Sequence, residues 1–339
     1  MSSSGQRKPP ALLQAAAIAV LVFALQVLMV PLFAAPAANL APRDLPLVIA
    51  GQPQAAAALG AALNGAEPGA FKVTQLPDAA AADQALRDRE AYGALIVEAP
   101  GVSLHTAPGA SPAVAALLTQ ATAPLGTGRP VPVVAVVPGD PDDPLGAGFA
   151  SGFLPLALTG MVAGIALTVL LRNRAAKLVG LVTFGVLAGF GAAAILQLWL
   201  GLLPGSYLLN AGAIGLFAIA TSATLAGLGA LLGRAGIALG VIVVFLVGNP
   251  LSAVASAPEL LPQPWGEIGQ YLPVGAGATL LRSTAFFDAA GATTSLWVLL
   301  GYAIIGLVLT AIGRATLGTP KQQAAVQQSP IFDDNRTLV

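Results

Sequence analysis

Five stretches of this chain are predominantly apolar and free of Asp, Glu, Lys and Arg: Ala11–Ala34, Phe149–Leu171, Leu178–Leu203, Tyr207–Leu232 and Thr293–Ile312. A helix rises about 1.5 Å per residue, so roughly 20 apolar residues match the ~30 Å hydrocarbon core of a bilayer. Helices that are apolar on every side offer no face to water, and five of them in one chain exclude an ordinary soluble fold. Composition agrees: 56% of the 339 residues are hydrophobic and 9% are charged, against about a quarter charged in a typical soluble domain. A sixth stretch, Ala235–Gly248, is shorter, stops at Asn249-Pro250 and is followed by an apolar, proline-interrupted run to Pro264. It reads as a short or broken span. The expected fold class is a polytopic α-helical membrane protein of about six transmembrane helices.

Short loops rich in Lys and Arg stay on the cytoplasmic side of a membrane. Arg7 and Lys8, then Arg172, Arg174 and Lys177, then Arg234, then Arg314 and Lys321 all fall on one side of a six-span arrangement. The acids fall on the other, apart from Asp333 and Asp334 in the tail. Both termini are therefore expected in the cytoplasm, with the chain in the plasma membrane. A cleaved signal peptide is the alternative for the first stretch, with Ala35-Pro36-Ala37 as its cleavage motif. At roughly 24 residues, however, the run exceeds the 7 to 15 of a usual signal core. The expected layout is a cytoplasmic lead and first span (1–34), an extracytoplasmic domain (35–148), five further spans (149–314) and a disordered tail (315–339).

Residues 35–148 interrupt the apolar pattern and are long enough to bury a core of their own. Strands are expected at Leu45–Ala50, Phe71–Leu76, Tyr92–Val97, Val102–Thr106 and Val131–Val137, and helices at Gln54–Leu63, Ala79–Glu90 and Pro112–Thr122. Such alternation favours a small α/β or α+β sheet between helices 1 and 2. The acidic, proline-rich run Pro138–Pro144 reads as a linker back to the membrane.

Chemistry-bearing residues are sparse. There is no cysteine and one histidine, His105, so thiolate or multi-histidine metal sites are excluded. The reading calls for no cofactor and no catalytic residue, and the chain is not expected to be an enzyme. Balanced charge, with 15 basic and 15 acidic residues, offers no field for nucleic acid. No Asp, Glu, Lys, Arg or His lies in the middle of a span, which removes the usual relays of ion-coupled carriers. Ser151, Ser222 and Asn210 are candidates for hydrogen bonds across helices. Gly160/Gly164, Gly185/Gly189, Gly229/Gly233 and Gly236/Gly240 are each four apart, so each pair shares a helix face and admits a close neighbour, within the chain or in a homodimer. No G-x-x-x-x-G-K-[ST] run occurs, so any ATP hydrolysis would need a separate subunit.

Between the fifth and sixth spans stand Gly248-Asn249-Pro250-Leu251-Ser252, then Pro258-Glu259-Leu260-Leu261-Pro262-Gln263-Pro264-Trp265, then Tyr271-Leu272-Pro273-Val274-Gly275-Ala276-Gly277, followed by Arg282-Ser283 and Phe286-Phe287. This region resembles the late part of ABC-2 type permeases, in particular the phage-infection-protein-like branch with one span, a large outside domain and five more spans. Asp44-Leu45-Pro46-Leu47-Val48-Ile49 and Tyr92-Gly93-Ala94-Leu95-Ile96-Val97 are similar to the opening strands of that outside domain. The resemblance implies that residues 249–292 form a re-entrant or extracytoplasmic segment, with Asn249, Pro250, Glu259, Trp265 and Arg282 at an outer mouth. Trp265 and Arg282 as headgroup anchors is the alternative. It also implies a separate ATP-binding cassette partner, coupled through the loop Arg172, Asn173, Arg174 and Lys177. The lead before the first span, Met1–Pro10, is too short for the amphipathic helix that the family usually carries there. The expected function is the permease subunit of an exporter for an amphiphilic or envelope-related substrate; the alternative is an envelope scaffold or receptor that uses its outside domain.

Overall fold

The computed structural model describes residues 11–98, 101–125 and 129–313. The expected cytoplasmic lead (1–10), with Arg7 and Lys8, and the expected disordered tail, with Arg314 and Lys321, lie outside the described residues. The protein is mostly helical with one small sheet, and six helices are long and apolar enough to cross a membrane. The described residues fall into two compact units. One comprises residues 11–138 together with Leu246–Gln270; the other comprises Gly139–Phe245 and residues 271–313.

In the first unit, α1 (Ala11–Ala38) runs 28 residues with none buried, so its apolar surface is left to the surrounding medium. A five-stranded sheet follows, from β1 (Leu45–Gly51), β2 (Phe71–Leu76), β3 (Gly93–Glu98), β4 (Gly101–Thr106) and β5 (Val133–Ala135), in the order β2-β1-β3-β4-β5. Strand β1 pairs in parallel with both β2 and β3, β4 is antiparallel to β3, and β5 is parallel to β4. Central strands covered on both faces need continuous apolar runs. Leu47-Val48-Ile49-Ala50 and Ala94-Leu95-Ile96 supply them and are buried throughout.

The covering helices are α2 (Pro53–Ala66), α3 (Ala79–Arg87) and α4 (Pro112–Thr122). Two of them begin at side-chain caps: Asp78 accepts from the Ala81 N–H at 2.8 Å, and Ser111 accepts from the Val114 N–H at 3.3 Å. Helix α3 stops three residues before its expected end because Arg89 adopts a left-handed φ of 62°, the usual way of terminating a helix. Strand β5 is three residues long rather than seven. His105, half-buried on β4, meets Asp83 of α3 through Nδ1 at 2.6 Å, a tie between a strand and its covering helix.

In the second unit, α5 (Ala147–Leu170), α6 (Arg174–Ala193, continued by a wider π turn over Ala194–Trp199), α8 (Arg234–Val241) and α12 (Thr293–Ile312) pack around α7 (Tyr207–Leu232). Some 78% of the most apolar window of α7 is buried, against 22–33% for the other spans of this bundle, so α7 is its axis. Its Ala, Gly, Ser and Thr residues make that position achievable, because small side chains let neighbouring backbones close in.

Of the two forms expected for the fifth span, short or broken, it takes the short one. It does not break at Asn249-Pro250: α8 passes through a π turn (Ile242–Val247) into α9 (Gly248–Leu251), making one run of 18 residues. Pro250 is the penultimate residue of that run, which ends at Leu251. A 3-10 turn (Pro258–Leu260), α10 (Trp265–Gln270) and α11 (Pro273–Phe286) then precede α12. Helix α11 is 14 residues long, roughly 21 Å and too short to cross a bilayer. It packs against α7 and α12 with nearly every residue buried.

Candidate functional site

The four expected coupling residues share one short turn. Helix α5 ends at Leu170, and Asn173 caps α6 by accepting from the Ala176 N–H at 3.1 Å. Arg172, Asn173 and Arg174 are exposed, while Lys177 is half-buried. Arg174 donates from Nη1 to the carbonyl of Ala311 at 3.2 Å, near the end of α12. The last carbonyls of a helix lack partners and carry its negative end, so a cation there is favourable. The basic turn thus ties the α5–α6 junction to the end of α12 and leaves a compact positive surface.

Of the five expected mouth residues, Asn249, Pro250, Glu259 and Trp265 belong to the first unit and Arg282 to the second. Arg282 belongs to α11 in the second unit, is 7% exposed and places its guanidinium 4.5 Å over the Phe149 ring. A buried guanidinium stacked on an aromatic face is held in place, which does not suit the alternative reading of Arg282 as a headgroup anchor. Trp265 opens α10 and is 53% exposed. Asn249 and Pro250 lie in α9, where Ser252 donates its hydroxyl to the Asn249 carbonyl at 2.6 Å.

Glu259 occupies a seam within the first unit. Its carboxylate accepts from the Tyr92 hydroxyl at 2.8 Å, across 167 residues of sequence. Its carbonyl accepts from the Arg43 N–H at 3.0 Å. The next carbonyl, of Leu260, accepts from the Ala41 N–H at 3.1 Å and from Nη1 of Arg43 at 2.8 Å. The Leu260 side chain, 2% exposed, and Ala257, 1% exposed, join the sheet's own core. Arg89 also faces this seam: burial pulls its guanidinium below its ordinary pKa, and Tyr92 and Glu259 act in the opposite sense. Residues 252–263 are therefore a strap that completes the core of the 39–138 domain and leads directly out of the fifth span. No local signal pairs Glu259 with Arg43, Arg89 and Tyr92; only the fold joins them.

A second polar cluster joins α6, α7 and α11 inside the bundle. Asn210, fully buried, donates to Gln197 Oε1 at 3.0 Å and to the Pro204 carbonyl at 2.9 Å, and accepts from the Thr284 hydroxyl at 2.9 Å. The expectation that Asn210 bonds across helices holds. Ser222 instead donates back to the Ala218 carbonyl of its own helix at 2.6 Å, and Ser151 is exposed.

Three glycine pairs face the axis. A Cβ at Gly160 or Gly164 would overlap Thr221 or the Ser222 carbonyl; at Gly185 or Gly189, Ile219 or the Ala211 carbonyl; and at Gly236 or Gly240, Leu228 or Leu225. In the fourth pair, Gly229 packs on Ile237 and Thr168. Gly233 differs: at φ 64° it forms the turn between α7 and α8, where a side chain would be strained. Among the described residues, no group of three or more His, Cys, Asp or Glu is placed to hold a metal ion. Comparison with protein-family models, with curated proteins and with solved structures finds no match to this chain.

Proposed function

We propose that the chain is the membrane-spanning permease subunit of an ABC-2 type exporter, moving an amphiphilic or envelope-related substrate with energy from a separate ATP-binding cassette subunit. The observation that carries this reading is the strap: residues 252–263 seat Ala257 and Leu260 in the core of the 39–138 domain and continue from the end of the fifth span. A displacement of that span is thereby passed mechanically to the domain. A scaffold or receptor has no need of such a linkage, whereas a transporter that cycles between states does.

In this reading α11 is a re-entrant helix that returns into the bundle from the outer side, and the 39–138 domain is extracytoplasmic. The basic turn Arg172–Lys177 is the docking surface for the ATPase, because it is exposed, positively charged and bonded to the end of α12. A homodimer would bring two such turns to two cassettes.

The test is affinity purification of the chain from gently solubilised native membranes, with identification of co-purifying chains and an assay of ATPase activity. Recovery of a cassette ATPase, lost in a variant with Arg172, Arg174 and Lys177 all changed to Ala, supports the exporter. Recovery of envelope proteins alone, under conditions that preserve a known exporter, overturns it in favour of the scaffold.

A further inference from the structure

Helices α8 and α12 both pack on α7 but stand apart from each other, leaving a groove of about 490 Å³. Thr224 and Leu228 form its floor, Leu239 and Val243 one wall, and Gly301 and Ile305 the other. This volume lies within the ~300–1,000 Å³ of ordinary ligand sites. The one polar floor atom is already satisfied, since the Thr224 hydroxyl donates to the Ala220 carbonyl at 2.6 Å. Apart from the rings of Tyr271, Trp297 and Tyr302, an occupant therefore meets aliphatic surface.

The groove extends along α12 from Trp297 to Leu309, about 18 Å of helix rise, a little more than half of the ~30 Å hydrocarbon core. Trp297 and Tyr271, 67% and 61% exposed, mark one end. Amphipathic rings of this kind sit where hydrocarbon gives way to headgroups. All three walls belong to helices apolar enough to span a membrane, so the groove is continuous with their lipid-facing surface. At that depth an unfilled gap forfeits dispersion contacts on every side.

We propose that this groove retains one acyl chain of a bilayer phospholipid, with its headgroup at the Trp297–Tyr271 end, as a lipid that props α8 against α12. The inference rests on the membrane-spanning character of these helices and not on the exporter reading, so the two fail separately.

Gly301 provides the test, because no atom beyond its chain neighbours and its own turn of helix backbone lies within 4 Å of where its Cβ would stand. Gly301→Leu extends into the groove from a Cβ that meets open space, and Leu239→Trp fills it from the opposite wall. Gly191, also with nothing within 4 Å and outside the groove, supplies Gly191→Leu as the control. The full chain is reconstituted in vesicles of palmitoyl-oleoyl phosphatidylcholine, re-extracted, washed in detergent and weighed by native mass spectrometry. The expected result is one phospholipid per chain on wild type and Gly191→Leu, reduced at least tenfold on Gly301→Leu and Leu239→Trp at unchanged thermal midpoints. Equal retention on all four chains, or none on wild type, overturns the proposal. So does a dimer mass that Gly301→Leu abolishes without altering bound lipid, which gives the groove to a second copy of the chain.

Discussion

At the residue scale, the seam around Glu259 has separable contributions. Leu260 is buried in the sheet core, and Leu260→Ala is expected to cost the first unit about 2–5 kcal/mol. The check is hydrogen exchange of the β1 and β3 amides, whose protection falls if Leu260 belongs to that core. Tyr92→Phe deletes one hydrogen bond to a carboxylate and leaves the packing intact, so about 1–2 kcal/mol is expected in the same measurement. Equal protection in Leu260→Ala and wild type would detach the strap from the domain. In the bundle, Asn210→Leu removes the partner of the Pro204 carbonyl and of Gln197 Oε1 and the cross-helix acceptor of Thr284, whose hydroxyl keeps the Leu281 carbonyl at 3.0 Å. Membrane hydrogen bonds average about 0.6 kcal/mol each and reach about 1.7, so a loss of about 1–3 kcal/mol is expected, read as a lowered thermal midpoint in detergent.

At the scale of elements, two glycines on one helix give opposite forecasts. Gly189 lies against the Ala211 carbonyl and Gly215 of α7, whereas Gly191, two residues on, has open space around it. Gly189→Leu is expected to force α6 off α7 at a cost of about 1–3 kcal/mol or more, and Gly191→Leu to be nearly neutral. Comparing their thermal midpoints decides the matter; equal midpoints would refute the α6–α7 packing described above. In the sheet domain, Asp78→Ala removes the cap of α3 and is expected to cost about 1 kcal/mol, visible as faster exchange in the first turn of α3.

At the scale of the molecule, orientation across the membrane is open to direct measurement because the chain contains no cysteine. Ala61→Cys on α2 and Ala175→Cys beside the basic turn are both at exposed positions. In intact cells an impermeant maleimide is expected to label the first and not the second. In inverted vesicles the pattern is expected to reverse. The opposite pattern would place both termini outside, and the basic turn could then dock no cytoplasmic ATPase.

Much of the fold was legible from local sequence. The six spans, the strands β1 to β4 and the capped helix α4 follow from apolar run length, alternation and cap residues, which act within a few positions of the chain. The glycine spacing foretold close helix packing for the same reason: residues four apart share a face whatever the tertiary fold. Sequence did not reveal which helix those glycines meet, since α7 becomes the axis only when five elements compete for contact with its small residues. Nor did it pair Glu259 with Tyr92, or show Arg282 buried over the Phe149 ring. Contacts across 167 residues are set by how strands and spans assemble, and no local propensity encodes them. The groove between α8 and α12 belongs to the same class, because a space between helices has no sequence of its own. Run length and periodicity determined the kind of protein; tertiary packing decided which of its residues work together.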